Sequence, residues 1–162
     1  MNNKRNVTIS DFNEIAPIGR GATGSVILAS DKLTDELFAI KIIPKSMLRN
    51  EKCLNRALFE RDVLMKIQHP FVTKLYRTFQ SKNCLYYVLE YVGGGDLFFH
   101  LHREVSFSPY QIKLYACEIV LALLHIHKLG IIYRDLKPEN ILIGTDGHIK
   151  LADFGLAKEM QS

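Results

Sequence analysis

The chain has 162 residues, with 21 Lys and Arg against 17 Asp and Glu, 48% apolar residues and no Trp. That is ordinary globular composition, which excludes a disordered, collagenous or coiled-coil protein, and the length suits one domain, or one lobe with part of another. The longest apolar run, residues 119–124, is far too short for a bilayer, so no membrane span is expected. The polar start lacks the apolar core of a secretory signal. Cys53, Cys84 and Cys117 are widely spaced and form no Cys-x-x-Cys, which argues against a disulfide framework or zinc ribbon and for a reduced, cytoplasmic setting.

Residues 1–10 read as a polar arm. Residues 11–18 read as a strand weakened by Pro17, followed by strands at 25–30 and 37–43 joined by the polar turn 31–36. Pro44 ends the third strand because it cannot donate a ladder hydrogen bond. Seven basic residues crowd 41–66, with Phe59 as their one aromatic neighbour. This reads as a solvated helix face, and no nucleic-acid partner is expected. A helix is predicted over 54–68, stopped before Pro70, then a hairpin of 72–79 and 85–91 around residues 80–83. Gly93-Gly94-Gly95 breaks regular structure and divides a β-rich unit, 11–92, from a helical one, 93–162.

Ser108-Pro109-Tyr110-Gln111 is a helix start, with Ser108 as cap, Pro109 at the first helical position and Gln111 completing a capping box. The helix should run to Lys128 and end at Gly130. Ile112, Tyr115, Ala116, Ile119, Leu123 and Ile126 share one face, while Val120, Leu121 and Leu124 spread the apolar surface around it. Such a helix is meant to be buried on several sides, and in this chain, where the β-rich unit can cover little of it, apolar residues are expected to be exposed on more than one face. Two short apolar runs, 141–143 and 148–151, join through Asp146-Gly147 as a hairpin. Cys84 and Cys117 lie in apolar stretches and read as core residues. His100 and His102, like His125 and His127, are two apart, which on a helix keeps them from sharing a metal.

Gly19-Arg20-Gly21-Ala22-Thr23-Gly24-Ser25-Val26 spaces three glycines so that a backbone can approach phosphate oxygens closely. A β-branched run follows rather than a helix, so the loop joins two strands, and an ordinary glycine-rich hairpin remains open as a reading. Lys41 sits in an apolar strand with Ala39 and Ile40. Its head either reaches water or meets a counter-charge. Glu60 shares a helix face with Ala57, Val63, Leu64 and Ile67, so each charge would relieve the other's desolvation if they met. Tyr133-Arg134-Asp135-Leu136-Lys137-Pro138-Glu139-Asn140 places a proton acceptor, a cation and an amide in one loop. Asp153-Phe154-Gly155 adds a carboxylate suited to a hard cation.

In this order the motifs resemble the eukaryotic serine/threonine protein kinase domain, AGC group, and within it the Akt, SGK and ribosomal-S6-kinase-like branch. Tyr133 in place of the usual His of the catalytic loop, and His69-Pro70-Phe71, look like that group. The resemblance implies an α+β kinase fold, with a complete small lobe (an antiparallel sheet plus one main helix) and an incomplete, mainly helical large lobe. It implies ATP and Mg2+ as cofactors, a protein substrate with a Ser or Thr acceptor, and an upstream activating kinase if a longer form exists. Gly19, Gly21 and Gly24 would cover the ATP phosphates, and Lys41, held by Glu60, would bind them. Val26, Ala39 and Leu142 would sandwich adenine, with Leu89 as gatekeeper, the Glu90 and Val92 backbone on the adenine edge, and Asp96 near the ribose. Asp135 would accept the substrate proton, Lys137 would steady the γ-phosphate, and Asn140 and Asp153 would hold magnesium. Leu64, Leu75, Tyr133 and Phe154 would stack as an apolar spine.

Asp96 and Glu139 match positions that select Arg upstream of the acceptor in that group. The family continues past Asp-Phe-Gly with an activation loop and further helices. The chain is therefore expected to be a fragment or a truncated kinase, inactive and poorly soluble alone. The alternative to an active kinase is a truncated, catalytically incompetent relative that binds nucleotide or a partner.

Overall fold

A computed structural model describes residues 7–21, 24–103 and 107–160. The polar arm up to residue 6, and Ala22 and Thr23 of the glycine motif, lie outside the described residues. The chain forms two compact units. One takes in the chain up to Leu54 together with Leu75–Tyr91, and the other takes in Asn55–Lys74 together with the chain from Val92 onward.

The first unit is a five-stranded antiparallel sheet in the order β1-β2-β3-β5-β4. Its strands are β1 (Phe12–Gly21), β2 (Gly24–Asp31), β3 (Leu37–Pro44), β4 (Leu75–Gln80) and β5 (Cys84–Glu90). Strand β1 runs straight past Pro17, because an edge strand needs no ladder donor on its outer side, and the register slips beside that proline. Helix α1 (Glu51–Lys66) starts three residues earlier than its apolar periodicity suggests, because Asn50 Oδ1 accepts the Cys53 amide at 2.8 Å and so caps it. β4 begins at Leu75 rather than at Val72, because Val72 pairs in parallel with Leu151 and the Thr73 amide is donated to the Leu151 carbonyl at 3.0 Å.

One face of the sheet is a core of Phe12, Ile27, Ala29, Phe38, Ile40, Tyr86 and Val88, with Phe79 and Cys84 packed against it. Phe12 stacks on Phe79, and Phe79 stacks on Tyr86 with ring centroids 4.8 Å apart. Aromatic pairs of this kind add about 0.5–1.5 kcal/mol beyond area burial. Gly24 is required where β2 meets β3, since a Cβ there would strike the Ile42 carbonyl oxygen. Gly24→Ala should therefore destabilise the protein by about 1–3 kcal/mol in urea unfolding. Gly21→Ala, with nothing within 4 Å of its added methyl, is the control that should change little.

The second unit contains α2 (Leu97–Arg103), α3 (Pro109–Lys128) and two small antiparallel ribbons. These pair β6 (Ile131–Ile132) with β9 (Lys158–Glu159), and β7 (Ile141–Ile143) with β8 (Ile149–Leu151). α3 starts and stops as its capping residues predict. The Ser108 side chain accepts the Gln111 amide, Gln111 returns the bond to the Ser108 amide, and the helix ends ahead of Gly130 at φ +72°. Its apolar surface is covered only in part, as expected for this chain. β6 and β8 pack against the side that buries Tyr115, Glu118, Ala122 and Ile126. Ile112, Val120, Leu121 and Leu124 are exposed, and so is Cys117, which is no core residue. Cys84 is half-buried at the edge of the sheet core. A Cβ on Gly94 would strike the Ile143 carbonyl oxygen, so the glycine run gives passage beside β7.

Candidate active site

Directly opposed residues of an antiparallel sheet share a face. Gly19 lies opposite Val26, Val26 opposite Lys41, and Lys41 opposite Tyr87. The next row is Leu28, Ala39, Leu89 and Leu75. Val26, Ala39, Lys41 and Leu89 therefore share the face away from the aromatic core, with Gly21 and Gly24 paired at the β1–β2 end. Lys41 is only 9% exposed, so its ammonium is not a snorkelling surface group. Glu90 closes β5.

In the second unit, residues 133–140 bring three predicted side chains together. Asp135 Oδ2 accepts from Lys137 Nζ at 2.9 Å and from Asn140 Nδ2 at 2.7 Å. Asn140 Nδ2 also donates to the Asp135 carbonyl at 2.9 Å. Both side-chain bonds end on Oδ2, which leaves Oδ1 engaged by neither partner. The Asp135 hydrogen bond, opposed by partial desolvation and then helped by the charges of Asp135, Glu139 and Asp153, raises the Lys137 ammonium above the usual Lys value. Lys137 thus stays protonated.

Asp153 follows β8, with φ +54°, and Arg134 has φ +65°. Left-handed non-glycine residues cost of order 1–3 kcal/mol and cluster at functional sites. Arg134 is held by a distant residue and Asp153 by its own turn. Arg134 Nε donates to the Leu156 carbonyl at 2.9 Å, and Asp153 Oδ1 accepts the Gly155 amide at 3.1 Å. Ahead of Asp153, the Ala152 amide donates to the Asn140 carbonyl and the Ala152 carbonyl accepts from the Tyr133 hydroxyl. Burial, then the charges of Asp153 and Asp135, push that phenol well above its usual pKa, so it remains a donor. Tyr133 packs on Phe154, ring centroids 5.0 Å apart, and Leu64 is buried in the same unit, whereas Leu75 belongs to the sheet unit.

Glu60 is 3% exposed on the face of α1 that buries Ala57, Val63 and Leu64, and a Cβ on Gly155 would lie 3.8 Å from its Oε2. Lys41 and Glu60 are thus each buried, one in each unit. Val92 is buried, and Leu142 on β7 forms a bridge with Asp96. The Asp96 carboxylate accepts the Phe99 amide at 2.7 Å, capping α2. That helix escaped the sequence reading, although an Asp three residues before its amide partner was the available signal.

The donor set suits a hard cation. Asn140 spends its amide nitrogen on Asp135, so the amide oxygen is the end available to a metal, and Asp153 supplies a carboxylate.

The chain matches the protein kinase domain over residues 12–162. The chain belongs to the protein kinase family. It is 46% identical over 160 residues to "Protein kinase 2" of Dictyostelium discoideum, covering 99% of this chain and 33% of that protein. It is 44% identical to the "RAC family serine/threonine-protein kinase homolog" of the same organism, over 94% of this chain and 34% of the relative. It is 47% identical to "Serine/threonine-protein kinase Sgk3" of Rattus norvegicus, over 93% and 30% respectively. This kinase chain thus spans about a third of the length of the relatives it matches.

Sequence reasoning passed over Glu118. This carboxylate is 3% exposed, accepts from His148 Nδ1 at 2.5 Å and takes the Ile149 amide at 2.9 Å. The signal was available, since Tyr115, Glu118, Ala122 and Ile126 lie at helical spacing on one face. The hydrogen bond and charge of Glu118 raise the His148 pKa. A raised folded-state pKa stabilises the kinase fully below the unfolded value, about 6.5 for His, and the gain is lost as pH rises through the folded value. Titration of His148 by NMR should give a midpoint above that value, with urea stability gained between pH 8 and pH 6 in wild type and not in His148→Ala.

Proposed function

We propose that this chain carries the nucleotide- and metal-binding machinery of an ATP-dependent serine/threonine protein kinase, which transfers the γ-phosphoryl of ATP to a Ser or Thr hydroxyl of a protein. The observation that carries the reading is the Asp135 carboxylate, fixed through one oxygen by Lys137 and Asn140. Such a group is placed to take a proton from an attacking hydroxyl while a cation stands beside it.

In this reading Gly19, Gly21 and Gly24 cover the phosphates. Lys41 binds the α- and β-phosphates, with Glu60 as its counter-charge. Val26, Ala39 and Leu142 enclose adenine, Leu89 limits the depth of its pocket, the backbone at Glu90 and Val92 reads its edge, and Asp96 lies near the ribose. Asn140 and Asp153 hold magnesium, which when bound neutralises phosphate charge and polarises the transferred group. Asp135 orients the hydroxyl and accepts its proton, and Lys137 steadies the γ-phosphate. The small lobe runs to residue 92. Burial of both an ammonium and a carboxylate supports the assignment of Lys41 and Glu60, because neither is stable in an apolar setting without a partner.

For the substrate, the reading favours basic residues ahead of the acceptor, selected by Glu139, which is exposed, and by Asp96. Asp96 already gives one oxygen to the α2 cap, so Glu139 is the stronger contributor. Incubating a completed kinase domain that contains this chain with labelled ATP, magnesium and a positional peptide library should phosphorylate Ser and Thr peptides with Arg upstream. Glu139→Ala should flatten that preference. Phosphorylation of Tyr peptides alone, or none with any peptide, would overturn the assignment.

A further inference from the structure

The strand that delivers Asp153 is held along its length from the Ile149 amide to Ala152, and Lys150 pairs with Leu142 of β7. Leu151 donates its amide to the Phe71 carbonyl at 2.9 Å, and its carbonyl accepts from Thr73. Ala152 is held by Asn140 and Tyr133, as described. The first of these anchors differs in kind from the rest. It is the buried Glu118 carboxylate, reaching from the middle of α3 to the Ile149 amide and to His148 Nδ1. Neutral anchors elsewhere on the strand could slide together, but a carboxylate sealed against α3 cannot give up its partners without a large desolvation cost.

We propose that Glu118 is a positioning residue for Asp153, setting the height at which β8 presents the cation-holding carboxylate four residues further on. The proposal rests on Asp153 being a magnesium ligand, as argued above. The groups around His148 are few. Glu118 faces it from α3, and Asp146 lies on its own hairpin turn, where Oδ1 accepts the His148 amide. On the far side, Phe71 separates it from the His69 ring, which stacks on His125 of α3 with centroids 5.0 Å apart. Lys150 Nζ is donated to the Pro70 carbonyl.

Two variants separate positioning from simple support. Glu118→Ala removes the anchor at any pH. Glu118→Gln keeps its shape. The amide oxygen can accept from Ile149, and the amide NH2 can donate to Nδ1 of a neutral His148, but a protonated His148 offers no acceptor. In Glu118→Gln the bond to Ile149 should therefore hold at both pH values, while the bond to His148 holds at pH 8 and is lost at pH 6, whereas in wild type a protonated His148 strengthens the anchor.

The test is binding of a fluorescent ATP analogue, titrated with magnesium at both pH values, alongside hydrogen exchange at residues 149–152. Glu118→Ala should raise the half-saturating magnesium concentration by about ten-fold, the lower end of what loss of metal-ligand support costs, with metal-free nucleotide binding unchanged. Glu118→Gln should match wild type at pH 8 and fall between wild type and Glu118→Ala at pH 6, with exchange at 149–152 accelerated in parallel. If Glu118→Ala cannot be obtained folded, the pH crossover of Glu118→Gln decides. Magnesium dependence equal to wild type in Glu118→Gln at both pH values would overturn the proposal. Wild type that bound no magnesium nucleotide would refute the reading of Asp153 as a ligand. Exchange at 149–152 would then still decide whether Glu118 sets the strand.

Discussion

In a completed kinase domain that contains this chain, Asp135→Asn is expected to slow phosphoryl transfer by about 10²–10⁴-fold while leaving magnesium-ATP binding close to wild type. The fold should tolerate it. Lys137 and Asn140 both donate to one oxygen of Asp135, and an Asn can present its own oxygen there. The amide nitrogen then occupies the Oδ1 position, where it cannot accept a proton. Single-turnover phosphorylation of a peptide, set beside nucleotide affinity from equilibrium binding, separates the two effects. If transfer stayed within a factor of a few, Asp135 would not be the proton acceptor. If affinity fell together with rate, the variant would be reporting damage to the loop.

The largest loss of stability is expected from Lys41→Met. If Lys41 and Glu60 form the proposed pair, removing one member of a buried ion pair costs about 3–5 kcal/mol, because the remaining charge stays in an apolar setting. Met fills much of the space of the Lys stem, so little of that loss would come from a cavity. In a completed kinase domain phosphoryl transfer should be abolished as well. A double-mutant cycle with Glu60→Leu tests whether Glu60 is the counter-charge. The double variant should recover stability relative to Lys41→Met, since neither charge is left alone. Simple additivity of the two losses would remove Glu60 from the assignment, leaving Lys41 to another partner.

Local rules carried much of this architecture. The Ser108 capping box, the Asp146-Gly147 turn and the β3 stop at Pro44 depend on residues close in sequence, and all three are found. The boundaries that moved depend on distant partners. No local pattern says that Val72 will pair with Leu151, or that Thr73 will bond to the same carbonyl, so β4 seemed to begin too early. The same limit applies to the candidate site. Asp135, Lys137 and Asn140 lie within six positions, and their meeting could be anticipated. Glu118 and His148 lie 30 apart, and a lone carboxylate on an apolar helix shows its purpose only once β8 is packed against it. The exposure of Cys117 is a failure of another kind. An apolar neighbourhood in sequence says nothing of which side of a helix is covered.

The sheet order also bears on how the chain reaches this state. β1 with β2, β2 with β3, and β4 with β5 are neighbours in sequence and can pair by hairpin formation, an event of microseconds. β3 with β5 is different. Pro44 lies opposite Cys84, so this one seam must close a loop of about forty residues that carries α1 and the whole of 55–74. Closure entropy rises only slowly with length, but none of it is recovered until the seam forms. Until then Ile40 and Val88, which face each other and are fully buried in the finished sheet, have no neighbour on that side. The aromatic core is thus split between two preassembled pieces, and the kinetic barrier of the sheet unit is concentrated at the strand that holds Lys41.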